Sequence, residues 1–280
     1  MYLERLLALI TAAVVAICLG VGLIFMGLGA GKKAPETAAL PAVPAAPVAP
    51  RAGSAAPDKP AARARIEAAI AAAPDYRRFF ARLRGAFPAD YEAALDEFAD
   101  RLLVVKQEPT VDYYVSEAVR RLRQSRGALA SKAAPEPLAR VFDMQLAVLR
   151  AVASGDKKLC VAFLFGASDM DFQRFAAGRR GLVAEMAVAG VDAIASGQDK
   201  HVDRSPPSEA DFRAVETALA AKGLGKAEID ALLDGKTPDP PLDDGKMCAA
   251  GQTYLEVLRA LPEPARMRIY GLAVELMSRT

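Results

Sequence analysis

Leu159-Cys160-Val161-Ala162-Phe163-Leu164-Phe165 is the stretch on which the fold class turns. It is apolar all round, and so short a run has no periodicity that separates a buried strand from a buried helix. The flanking sequence decides, because no partner strand is found on either side. Upstream, Pro135 and Pro137 stand at the start of a pattern carrying Leu138, Phe142, Leu149 and Val152. Before it, Thr110 is placed to cap a helix bearing Val111, Val115, Ala118, Val119 and Leu122. Pro88-Ala89-Asp90 opens another with Tyr91, Leu95, Phe98, Leu102 and Val105, and Ile66, Ala69, Ile70 and Ala73 form a stripe that Pro74 stops. Steps of three and four are those of amphipathic helices burying one face.

Downstream, Ser168 is predicted to cap one long helix with Phe172, Phe175, Leu182, Met186 and Ile194. Its glycines Gly178, Gly181 and Gly190 each weaken a helix by about 1 kcal/mol unless close packing requires them. Ser208 with Asp211 resembles a capping box, Gly223 and Gly235 are stops, and Pro238–Pro241 is a loop. Tyr254, Leu258 and Leu261 begin a final pair of helices divided by Pro262 and Pro264. The expectation is an irregular all-α domain over residues 61–280, with about nine or ten helices around one core. Residues 159–165 form its central buried helix, and joints fall near 127–137 and 198–207.

The rest of the chain is of another kind. From Leu6 to Gly31 there are 26 residues without a charge. A bilayer core about 30 Å thick needs roughly 20 helical residues, so residues 1–31 are read as a transmembrane signal anchor that meets the lipid bilayer through residues 6–31. The run exceeds the apolar part of a cleavable signal peptide, and Ile17 stands before Cys18 where a lipidation signal has a small residue. Residues 32–60 follow as a disordered Pro/Ala-rich linker. Within 34–60 there are seven prolines and ten alanines, and Pro41, Pro44, Pro47 and Pro50 recur at the period of a polyproline helix. Such a tether reaches on the order of 80 Å when extended.

Two signals disagree on orientation. Lys32 and Lys33 after the anchor against Arg5 before it place the bulk of the chain in the cytoplasm by the positive-inside rule. The five-residue amino tail and two cysteines in the main domain favour export. The expectation adopted is a single-pass inner-membrane protein with its carboxyl domain in the periplasm. The abundance of Ala, Arg and Pro points to a GC-rich, bacterial genome.

Charge and chemistry exclude several functions. Residues 61–280 hold 31 basic and 31 acidic side chains, so the footprint needed for nonspecific nucleic-acid binding is missing and no nucleic acid is expected. The clusters Arg77, Arg78, Arg82, Arg84 and Arg120, Arg121, Arg123, Arg126 read as solvated helix faces balanced by Asp96, Glu97 and Asp100. One histidine, His201, sits in a polar stretch and gives no support for a His-dependent nucleophile. No zinc spacing, G-x-G-x-x-G or Walker loop occurs, so no metal, cofactor or catalytic residue is assigned. Carboxylate chemistry needs no histidine, and its candidates are Asp169 and Asp171, which flank Met170 at a helix start, with Asp243 and Asp244. For Asp169 and Asp171 the helix dipole supplies a purely structural reason.

Cys160 and Cys248 are the candidate disulfide. A bridge closing so long a loop contributes about 4–5 kcal/mol on the chain-entropy model, while two buried thiols would act as small hydrophobes. The expected function is a noncatalytic binding or scaffold module of the cell envelope, meeting an envelope protein or polymer within reach of its tether. Alternatives are a carboxylate-dependent envelope hydrolase and a cytoplasm-facing membrane adaptor. A cleft lined by two acids would favour the hydrolase; an exposed apolar surface would favour binding.

Overall fold

A computed structural model describes residues 58–105, 108–166 and 170–278. The anchor, nearly all of the tether, Cys18, the Ser168 cap and Asp169 lie outside the described residues. Among the described residues there are twelve α-helices, one 3-10 segment and no strand. None of these helices is long and apolar enough to cross a membrane.

The first helix starts earlier than the tether boundary suggests. Helix α1 (Lys59–Ala71) is capped by the Asp58 side chain, which accepts from the Ala61 N–H at 2.9 Å. Pro60 fits its first turn, where a missing N–H costs nothing. The same rule corrects the reading of Pro74. It does not merely stop α1; it opens α2 (Pro74–Ala86), which buries Tyr76, Phe79, Phe80 and Leu83. Helix α3 (Pro88–Val104) follows after one residue, and α4 (Val111–Arg126) starts at a Thr110 cap.

A 3-10 segment (Gly127–Lys132) leads into α5 (Pro135–Ala153), then α6 (Lys157–Leu164) and α7 (Met170–Ala177). Helix α8 (Arg180–Lys200) is followed by α9 (Glu209–Ala221), α10 (Lys226–Asp234), α11 (Asp244–Ala260) and α12 (Glu263–Met277). The Ser208–Asp211 capping box is present, and Gly223 and Gly235 take positive φ at the ends of α9 and α10. One continuous set of buried side chains runs from Ala62 to Val274.

Two expectations change. The helix predicted from Ser168 through Ile194 is broken at Gly178-Arg179, where Arg180 turns onto Asp112 and redirects the chain. The central helix is α8, not the stretch 159–165. Helix α8 touches the 3-10 segment and helices α2, α4, α5 and α7, and buries Val183, Ala187, Val188, Val191 and Ile194. Residues 159–164 are indeed helical, with Phe165 as the cap, but α6 has only eight residues and buries only Leu159 and Cys160. At about 1.5 Å per residue it spans roughly 12 Å, too little to traverse a core. Gly166, at φ +89°, then ends it.

The two expected joints pack on each other. The Val202 N–H donates to the Lys132 carbonyl at 2.8 Å, and Arg204 donates to the Ser131 and Ala133 carbonyls. Gly197 brings α8 against the 3-10 segment so closely that a Cβ there would lie 1.7 Å from the Leu129 carbonyl oxygen. His201 closes α8 as an exposed residue in the left-handed conformation, φ 46°.

Candidate binding surface

The local sequence fixes α6 at both ends. Asp156 accepts from the Leu159 N–H at 2.9 Å and so caps the start, and Gly166 ends the helix. Cys160 on α6 and Cys248 on α11 form a disulfide, with Cα atoms 5.6 Å apart and a sequence separation of 88. Both cysteines are fully buried. Next to the bridge, Gly251 of α11 makes room for Leu164; a Cβ at that position would sit 2.4 Å from Leu164 Cδ2. The Gln252 amide donates to the Cys248 carbonyl at 3.3 Å. Covalent bridge and small residue together seat α6 on α11.

What α6 buries on that side it leaves uncovered on another. Val161, Ala162, Phe163 and Leu164 are half-buried, Phe165 is 49% exposed, and Met170 at the start of α7 is 67% exposed. A layer of rings underlies them. Phe163 stacks on Phe172 at 5.2 Å, and Phe172 touches Phe175 at 5.8 Å. The Arg179 guanidinium covers the Phe175 ring at 5.5 Å, a favourable cation–π arrangement. Lys157, Lys158, Arg174 and Arg179 are all exposed around this edge. Large apolar side chains left in water beside a rigid support mark contact surfaces more often than they mark catalytic sites.

Of the four carboxylates named from sequence, the three that are described serve helix ends. Asp243 is the N-cap of α11 and accepts from the Lys246 N–H at 2.9 Å. Asp244 is the first residue of that helix, and Asp171 lies in the first turn of α7, paired with Arg174. Two other concavities hold different groups. One, of about 270 Å³ between α3 and α4, is lined by Asp90, Arg120, Arg121 and Ser125. The other is a groove of about 720 Å³ between α2, α5 and α8, lined by Glu136, Asp143, Asp192 and Asp199 with Arg82, Arg140 and Lys200. The sequence reading missed these four acids, although Glu136, Arg140 and Asp143 follow helical spacing on α5, as do Asp192, Ser196 and Asp199 on α8. Only the packing of α5 on α8 brings the two polar stripes together. Within the groove Asp192 is held by Arg82 at 2.5 Å and Asp143 by Arg259 at 3.3 Å.

The arginine clusters are largely engaged. Arg78 pairs with Glu185 at 2.7 Å, Arg126 with Asp90 at 2.7 Å, Arg121 with Glu97 and Arg120 with Glu117. Of the three expected partners only Glu97 balances these clusters; Asp96 pairs with Arg63 and Asp100 with Lys59. Arg123 stands apart, its buried Nε without an acceptor; burial, reinforced by the neighbouring Arg120 charge, pushes its pKa down. Among the described residues no group of three or more His, Cys, Asp or Glu is placed to hold a metal ion.

The fold and this edge define an all-α domain with a disulfide-braced apolar surface. No protein-family model, curated protein or solved structure matches the chain.

Proposed function

We propose that the protein is a noncatalytic binding or scaffold module of the bacterial cell envelope, held by residues 6–31 in the inner membrane with its helical domain in the periplasm. One observation carries the binding part of this reading: the apolar edge at Phe165 and Met170, fixed to α11 by Cys160–Cys248. An edge that leaves a phenylalanine and a methionine in water favours contact with another apolar surface. The bridge also supports export, since disulfides persist in oxidising compartments. The paired arginines support a partner other than nucleic acid.

Protease treatment of spheroplasts tests the placement. The helical domain is expected to be degraded in spheroplasts and protected in intact cells. Protection in both would favour the cytoplasm-facing adaptor instead. A photo-reactive residue at position 165 tests the contact. It should give an adduct with an envelope component in intact cells, whereas one at Phe212 on α9 should give none.

A second reading, a carboxylate-dependent envelope hydrolase, draws on Glu136 and Asp199, the two groove acids outside the ion pairs. It requires turnover of cell-wall material by the purified chain, abolished by Glu136→Gln or Asp199→Asn. Turnover unaffected by both substitutions, or none at all, would remove it.

A further inference from the structure

We infer that the surface taken by the α6–α7 edge is the bilayer itself: Phe165 and Met170 enter the lipid interface while Lys158 and Arg179 face anionic headgroups. The inference rests on the anchored reading above and names the partner of that same edge. Three observations favour lipid over protein.

The first is size. Half of one phenylalanine and two-thirds of one methionine expose on the order of 200 Å², against the roughly 800 Å² per partner that a stable protein interface covers. A second copy of the chain or a folded partner would need far more surface than this edge offers. A bilayer needs only a few side chains that reach the acyl boundary.

The second is charge. Residues 155–179 carry four basic and three acidic side chains, and Arg180 beyond them is bound to Asp112. Among the acids, Asp156 caps α6 and Asp171 pairs with Arg174, whereas Lys158 is exposed and Arg179 is exposed above the Phe175 ring. Basic side chains around exposed aromatic and thioether groups suit a surface that is negative outside and apolar beneath.

The third is proximity. The apolar run Leu6–Gly31 and a tether of on the order of 80 Å hold the domain beside a membrane. Docking is then intramolecular, at an effective concentration in the millimolar range, so a contact too weak to recruit a free protein suffices to lay the domain down.

The chain has no tryptophan, so one substitution makes a unique reporter. The full chain carrying Phe165→Trp is reconstituted into phosphatidylcholine vesicles with and without phosphatidylglycerol, each bearing brominated acyl chains. Met170→Trp serves as the second reporter should the first disturb folding, and Phe212→Trp on α9 as the reference. The expected result is several-fold stronger bromine quenching at position 165 or 170 than at 212, greater with phosphatidylglycerol and reduced by high salt. Quenching at 165 and 170 no stronger than at 212, in chain that co-floats with the vesicles, overturns the inference and leaves the anchor intact. A blue shift without bromine quenching also overturns it and points to contact with a second copy of the chain. Chain that fails to float with the vesicles overturns the anchored reading and the inference together.

Discussion

Arg180 grips Asp112 with two parallel hydrogen bonds, Nε to Oδ1 at 2.8 Å and Nη2 to Oδ2 at 2.7 Å. The Tyr76 hydroxyl donates to the same carboxylate at 2.7 Å. Three helices meet there, since Tyr76 belongs to α2, Asp112 to α4 and Arg180 to α8. Burial works against the charge on Asp112, but the Arg180 and Tyr76 hydrogen bonds outweigh it and hold the carboxyl below its ordinary range. Burial, then the Asp112 hydrogen bond, pushes the Tyr76 hydroxyl well up, so it remains a donor.

Removing either partner leaves the buried carboxylate short of a donor. Arg180 is 39% exposed, so water replaces part of what it gives: Arg180→Ala is expected to cost about 2–3 kcal/mol in urea unfolding, and Tyr76→Phe about 1 kcal/mol. A double-mutant cycle on the two should show non-additivity, because both bond to one carboxylate.

Asp211 supplies the acid limb of stability. The Arg268 hydrogen bonds, at 2.7 and 3.0 Å, together with the Ser208 N–H and hydroxyl, outweigh burial and lower its pKa to about 2. A carboxylate with a depressed folded-state pKa stabilises fully above the unfolded value of about 4 and loses that contribution as pH falls through the folded value. Wild type should lose about 2 kcal/mol from this group between pH 4 and pH 2. In Arg268→Met that part of the acid dependence should shrink to what the Ser208 N–H and hydroxyl still contribute, as read from urea midpoints across the window.

The glycines of α8 separate two physical cases. Nothing lies within 4 Å of a Cβ built on Gly190, so Gly190→Ala should stabilise by about 0.5–1 kcal/mol. At Gly197 the added carbon meets backbone of the 3-10 segment, and Gly197→Ala should destabilise by about 3 kcal/mol. Opposite shifts in melting temperature check both.

These contrasts show what a sequence discloses and where it stops. The Thr110 cap, the Ser208–Asp211 box, the Gly223 and Gly235 stops and the Pro262–Pro264 division are local chemistry, and each is where the sequence places it. Pro74 misleads because proline both ends one helix and suits the first turn of the next. The central helix is harder to see. Helix α8 is rich in alanine and glycine, whose weak hydropathy hides the close packing that small side chains permit. The conspicuous apolar run Leu159–Phe165 instead lies at an edge, because an eight-residue helix bounded by an aspartate cap and a left-handed glycine cannot cross the core. Cys160 and Cys248 could be paired from sequence only on the expectation of export, and the groove acids required knowing that α5 packs on α8.

Loss of the bridge should be felt at the α6–α11 contact first. Cys160→Ser with Cys248→Ser is expected to lower unfolding stability by about 4–5 kcal/mol on the chain-entropy model. Amide exchange should then rise in α6 and the start of α11 before it rises in α8.

The thiol state of the native protein tests whether this domain is exported and bridged. Protein taken from its own envelope is denatured and alkylated before and after reduction, and the product weighed. With three cysteines in the chain, the account predicts one alkyl group, on Cys18, before reduction and three after it. Three before reduction would mean that Cys160 and Cys248 are free thiols, contradicting export and leaving the cytoplasm-facing adaptor as the better description.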